Sequence, residues 1–231
     1  MSLRAVWLVL AIAGLILQVL VLHNLLRGSY RRFPFLLVYC AALLFISVFN
    51  TLQFFGGAKG AWTAASQQYY WIGEMVLQGL IYAITVSFVF QAMGEGPGRD
   101  VMRRYMVLAA LAIAAASLYF FHDSRTVMWM TRVTLYLSFL STLFCLILWL
   151  VLLRMAAPEK LLLLVTGGLG MQMAGQSVGH ALREMVGTGA VGRYLMHVGN
   201  LIIVLSHLLC LYIWWQAFRH ARASSTSPVV N

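Results

Sequence analysis

Long apolar runs, each about 20 residues and each closed by a short polar or glycine-rich break, recur along the whole chain. Seven such segments can be drawn: about Ala5–Leu26, Phe33–Phe55, Tyr69–Ala92, Tyr105–Phe121, Val127–Met155, Leu161–Leu182 and Tyr194–Ala217. About 20 apolar residues at 1.5 Å rise per residue cross the ~30 Å hydrocarbon core of a bilayer, so each run predicts a transmembrane helix. The breaks carry turn chemistry: Arg27-Gly28-Ser29, Gly94-Glu95-Gly96-Pro97-Gly98, Pro158, and Gly187, Gly189 and Gly192. Pro34 falls in the first turn of the second segment, where a missing N–H costs nothing. The expected fold is all-α: one integral membrane bundle of seven transmembrane helices over residues 1–221, followed by a short disordered cytoplasmic tail from Arg222.

Composition closes off the soluble alternative. Of the 231 residues 62% are hydrophobic and 10% charged, where a water-facing domain carries roughly 25% charged residues. The net charge of +10 does not form a nucleic-acid patch, because the basic residues stand at the ends of apolar runs, and no nucleic-acid partner is expected. Their distribution orients the bundle. Ten (Arg27, Arg31, Arg32, Arg99, Arg103, Arg104, Arg154, Lys160, Arg219, Arg222) fall on one side and five (Arg4, Lys59, Arg125, Arg183, Arg193) on the other. The positive-inside rule then puts the N-terminus outside and the C-terminus in the cytoplasm, in the cell (inner) membrane. Tyr69, Tyr70, Trp71, Trp129 and Tyr194 are expected at the outer interface, and Trp214 and Trp215 at the inner one. Cys40, Cys145 and Cys210 are widely spaced within apolar runs and read as buried small hydrophobes.

Polar residues inside the runs carry the functional expectation, since an ionisable group at depth needs a partner or a role. Glu74 and Arg132 each lie five residues into their segments, at roughly 8 Å depth by helical rise, and are expected to pair. On the third segment Tyr70, Glu74, Gln78 and Tyr82 repeat every four residues and share a face. Gln172, Gln176 and His180 do the same on the sixth segment, and His197, Asn200 and His207 share a face of the seventh. Asn50 and Gln53 lie on one face of the second, and Tyr136 lies one turn beyond Arg132. The candidate site is therefore Glu74, Gln78, Arg132, Tyr136, Gln176, His180, His197 and Asn200, a water-accessible cavity in the outer half. Interhelical hydrogen bonding accounts for any one of these residues equally well.

The layout is similar in organisation to microbial rhodopsins and to the seven-helix input regions of bacterial sensors. It suggests a small stand-alone sensor taking a small-molecule ligand from the outer side and passing its message to a cytoplasmic effector by contact; no catalytic residues are assigned. Retinal is disfavoured, because Lys59 and Lys160, the only lysines, both fall in loops. No cofactor is assigned; the alternative reading is a haem- or metal-binding redox protein using His180 and His197. A small-solute transporter and a structural subunit are the remaining readings. The transporter is weakened because all four prolines (Pro34, Pro97, Pro158, Pro228) lie at helix starts, loops or the tail. Gly175-x-x-x-Gly179 predicts close helix packing, within the bundle or across a homo-oligomer.

Overall fold

The computed structural model describes residues 3–56, 64–93, 100–101, 104–105, 108, 128–154, 160–185 and 190–226. The helices are α1 Leu3–Asn24, α2 Pro34–Gly56, α3 Ala64–Met93, α4 Met128–Arg154, α5 Lys160–Glu184 and α6 Ala190–Thr226, with a π-helical turn Leu25–Ser29 extending α1. No strand occurs among the described residues. The expected fourth segment, 105–121, lies almost wholly outside them.

Among the described residues five helices are long and apolar enough to cross a membrane: Ala5–Gly28, Pro34–Leu52, Ile72–Ala92, Lys160–Arg183 and Tyr194–Ala221. Ser138–Leu150 forms a shorter apolar stretch of α4. The chain is a multi-pass membrane protein, and the sidedness of its side chains agrees. Large apolar residues such as Ile16, Phe45 and Leu150 are exposed on the perimeter, Phe45 at 74%, while Gln18, Gln78, Gln172 and Gln176 are buried. In water that arrangement would be costly; in lipid it is favourable, because hydrocarbon surrounds the apolar side chains and the polar ones need protein partners.

Helix starts and stops follow local chemistry. Leu37 N–H donates to the Phe33 carbonyl at 3.1 Å, closing the first turn of α2 ahead of Pro34. α3 begins at Ala64, five residues before the expected boundary, and α6 continues to Thr226. Arg222-Ala223-Ser224-Ser225-Thr226 contains no glycine or proline, so nothing stops the helix at Arg222.

α5 and α6 form the tightest pair, and glycine is the reason. A methyl group on Gly179 would lie 2.7 Å from the Gly199 carbonyl oxygen, one on Gly199 would lie 2.7 Å from that of Gly179, and one on Gly175 would collide with Ser206. The Gly175-x-x-x-Gly179 stripe is thus occupied by α6 of the same chain. Other α5 glycines serve α4: a Cβ on Gly167 would meet Trp149 Nε1 at 3.4 Å, and one on Gly170 would meet Cys145 Cβ at 3.5 Å. Gly168 admits the ring of Trp214, whose Nε1 would stand 3.0 Å from an added Cβ.

That contact corrects the reading of Trp214 as an interfacial anchor. Its indole is fully buried and Nε1 donates to the Val165 carbonyl at 2.8 Å. Next to a glycine the α5 backbone is bare enough for an indole to reach a carbonyl, and a buried Trp N–H requires such a partner. Trp215 is half-buried, with the Arg219 guanidinium 5.5 Å from its ring centroid. Below Trp214 the core is aromatic: Phe33 meets Phe88 edge-on at 5.7 Å and Phe218 at 6.1 Å, joining α2, α3 and α6.

Candidate functional site

Five helices enclose a cavity of about 330 Å³ in the half of the bundle that holds the start of α1 and the end of α2. It runs from the level of Trp7 and Thr51 down to Gln172 and His207, which stand at the middle of their spans. The α1 and α6 walls are mostly apolar, built by Leu10, Leu15, Ile203 and Leu208. The walls from α2, α3 and α5 hold most of the polar side chains, Ser47, Asn50, Glu74, Gln78, Gln172 and Gln176, interleaved on α2 and α3 with Leu43, Ile46, Leu77 and Ile81. Helical spacing explains the polar wall: Glu74 and Gln78 are one turn apart on α3, as are Gln172 and Gln176 on α5.

Hydrogen bonds across helices hold these side chains. Gln78 Nε2 donates to Gln176 Oε1 at 2.8 Å and to Ser138 Oγ at 3.1 Å, so one amide ties α3 to α4 and α5. Gln172 Nε2 donates to Tyr39 Oη at 2.9 Å, linking α5 to α2. Gln18 Nε2 donates to Ser47 Oγ at 3.1 Å, linking α1 to α2. In each case the NH₂ end is used and the carbonyl end is not: Oε1 of Gln18, Gln78 and Gln172 are buried without a hydrogen-bond partner. Such orphaned acceptors are rare in folded proteins and point to a missing donor, from water or a ligand.

The residues expected at the site divide. Glu74, Gln78 and Gln176 line the cavity together. His180 is buried at 4% exposure, with Nδ1 unpartnered, but is not part of the wall. Tyr136 is 56% exposed and His197 is exposed, while Asn200 is half-buried; none of the three lines the cavity. The Arg132 side chain lies outside the described residues, and the expected Glu74–Arg132 pair with it. Gln53 falls outside them likewise. No group of three or more His, Cys, Asp or Glu side chains is placed to hold a metal among the described residues.

Sequence reasoning missed Gln18, Tyr39 and Ser47. Gln18 had a usable signal, since it interrupts the most apolar span among the described residues, of mean hydropathy 2.7. Tyr39 and Ser47 had none, because tyrosine and serine are ordinary in membrane helices. His207 and Gln172 stood on the polar faces read from the sequence, and both line the cavity.

Comparison with known protein families, characterised proteins and solved structures finds no match to this chain. The functional reading therefore rests on the cavity.

Proposed function

We propose that this chain is a seven-helix membrane sensor whose ligand site is the cavity, opening to the face that holds the N-terminus, with the C-terminus in the cytoplasm. The observation that carries the reading is the set of buried glutamines around a space large enough for a small molecule. A bundle that needed only packing would not leave three amide oxygens unpaired along one cavity. A route for the message is also at hand. Tyr39 lines the cavity and meets Trp214 edge-on at 6.0 Å. One turn along α6 from Trp214, Phe218 packs on Phe33, which is followed back along the chain by the exposed Arg32 and Arg31. A ligand that moves Tyr39 thereby acts on the basic end of the bundle, where an effector would read it.

The test compares the detergent-purified chain with Glu74→Gln in a thermal-shift screen of small polar compounds. The reading predicts compounds that stabilise the chain and lose their effect in Glu74→Gln, while that variant keeps its fold. It fails if no compound stabilises the chain. It fails also if Glu74→Gln and Arg132→Met each abolish folding and the double apolar replacement restores it, since the pair would then be a structural pin.

A further inference from the structure

Among the described residues the cavity wall holds one imidazole, that of His207 on α6. Gln78 bonds to Gln176 and Ser138, Gln172 to Tyr39 and Gln18 to Ser47, whereas His207 makes no hydrogen bond to any described residue. Nδ1 of His180 is sealed among protein atoms; neither ring nitrogen of His207 is. The α6 residues on the same helical face, Cys210, Leu211 and Trp214, are fully buried, so this face looks into the bundle and the open nitrogens look onto the cavity. Ile203, Val204 and Leu208 flank His207 on the same wall. An uncharged imidazole offers one N–H donor and one lone-pair acceptor. A hydroxyl matches both, being itself a donor and an acceptor, whereas an ammonium meets only the acceptor and a carboxylate only the donor. No lysine or arginine lines the cavity among the described residues, so an anion would lie at mid-membrane depth without a counter-charge. The Glu74 carboxylate is already engaged, so a cation finds no free partner in it.

We propose that the cavity takes a small uncharged hydroxyl compound with an apolar body, its hydroxyl hydrogen-bonded to the ring of His207. The body lies against the aliphatic wall of Leu10, Leu15, Ile203 and Leu208. This inference rests on the cavity being the ligand site and adds the chemical class of its occupant and the residue that recognises it. In surroundings of low dielectric a hydrogen bond to the imidazole is stronger than in water, and an unmade one costs more. The hydroxyl therefore decides between occupants of equal apolar area.

Four probes that share a phenyl body decide it: 2-phenylethanol, 2-phenylethylammonium, phenylacetate and ethylbenzene, titrated at pH 7 into the purified full chain. The expected result is binding of the alcohol at least about tenfold tighter than either ion. His207→Phe, which keeps a ring and removes both nitrogens, should weaken the alcohol by about tenfold and leave ethylbenzene unchanged, as loss of hydrogen bonds alone implies. Should His207→Phe not fold, the unmodified chain with ¹⁵N-labelled histidine carries the readout: one pair of ring resonances should move with the alcohol and none with ethylbenzene. Equal or tighter binding of either ion overturns the uncharged class and leaves the cavity as a ligand site. Alcohol binding unchanged in folded His207→Phe, or no ring resonance that moves, overturns the role of His207. Equal loss of alcohol and ethylbenzene in that variant overturns it too, since the change would then be one of shape. Binding of none of the probes overturns the proposal, while labelling of Ser47→Cys from water reports separately whether the cavity is accessible.

Discussion

Gln172 Nε2 donates to Tyr39 Oη at 2.9 Å in a setting where both side chains are buried. The bond joins the centre of α5 to the deepest α2 residue on the cavity wall, and Tyr39 in turn abuts Trp214. Removing the hydroxyl in Tyr39→Phe leaves the Gln172 amide with neither end paired. The expected cost is about 0.6 to 2 kcal/mol, the range for a polar contact between membrane helices. Unfolding of Tyr39→Phe, Gln172→Leu and the double variant should be non-additive, the double losing less than the sum of the singles. Additive losses would mean that the bond carries no stability.

The α5–α6 glycines make a sharper contrast. Gly179→Ala puts a methyl group 2.7 Å from the Gly199 carbonyl oxygen, and the helices must separate to admit it. A loss of about 1 to 3 kcal/mol is expected, typical of overpacking. Gly79→Ala meets nothing within 4 Å and should be neutral or slightly stabilising. Thermal melts of the two variants in one detergent check the difference.

Adjacent tryptophans should behave differently. Trp214 is fully buried with its N–H on Val165, and Trp214→Ala is expected to cost about 3 to 5 kcal/mol, as for large core aromatics. Trp215 is only half-buried, so Trp215→Ala should cost distinctly less in the same melts.

For orientation, a reporter fused after Arg222 should be active only on the cytoplasmic side. The ten-to-five division of basic residues gives that expectation. Activity outside the cell would reverse the bundle and turn the cavity toward the cytoplasm.

Hydropathy made the helices legible because a bilayer demands about 20 apolar residues per crossing wherever the helices pack. The Gly175–Gly179 stripe was legible as a close contact, but its partner was not: small residues announce an approach without naming the helix that makes it. Trp214 shows the same limit. Position along a span suggested an interfacial anchor, and only the bare backbone beside Gly168 reveals a buried indole. At the site, Gln78 and Gln176 could be read from four-residue spacing, since shared faces follow from helix geometry. Gln18 could not be joined to them, because rotation of α1 about its axis is set by packing and leaves no mark in an almost uniformly apolar run. Tyr136 and His197 carried the right spacing on faces that turn out to be exposed. Periodicity gives a face; it does not give the direction that face looks.

The most direct test of the central claim, a water-filled cavity open to the outer face, is thiol labelling at two neighbouring α2 positions. Ser47 lines the cavity, and Phe45, two residues away at nearly the same depth, is 74% exposed on the perimeter. The natural cysteines Cys40, Cys145 and Cys210 are buried and would first be replaced by alanine. A membrane-impermeant charged thiol reagent added to intact cells should label Ser47→Cys and leave Phe45→Cys unlabelled, because the first thiol meets water and the second lipid. Labelling of Phe45→Cys alone, of both equally, or of neither would contradict the account.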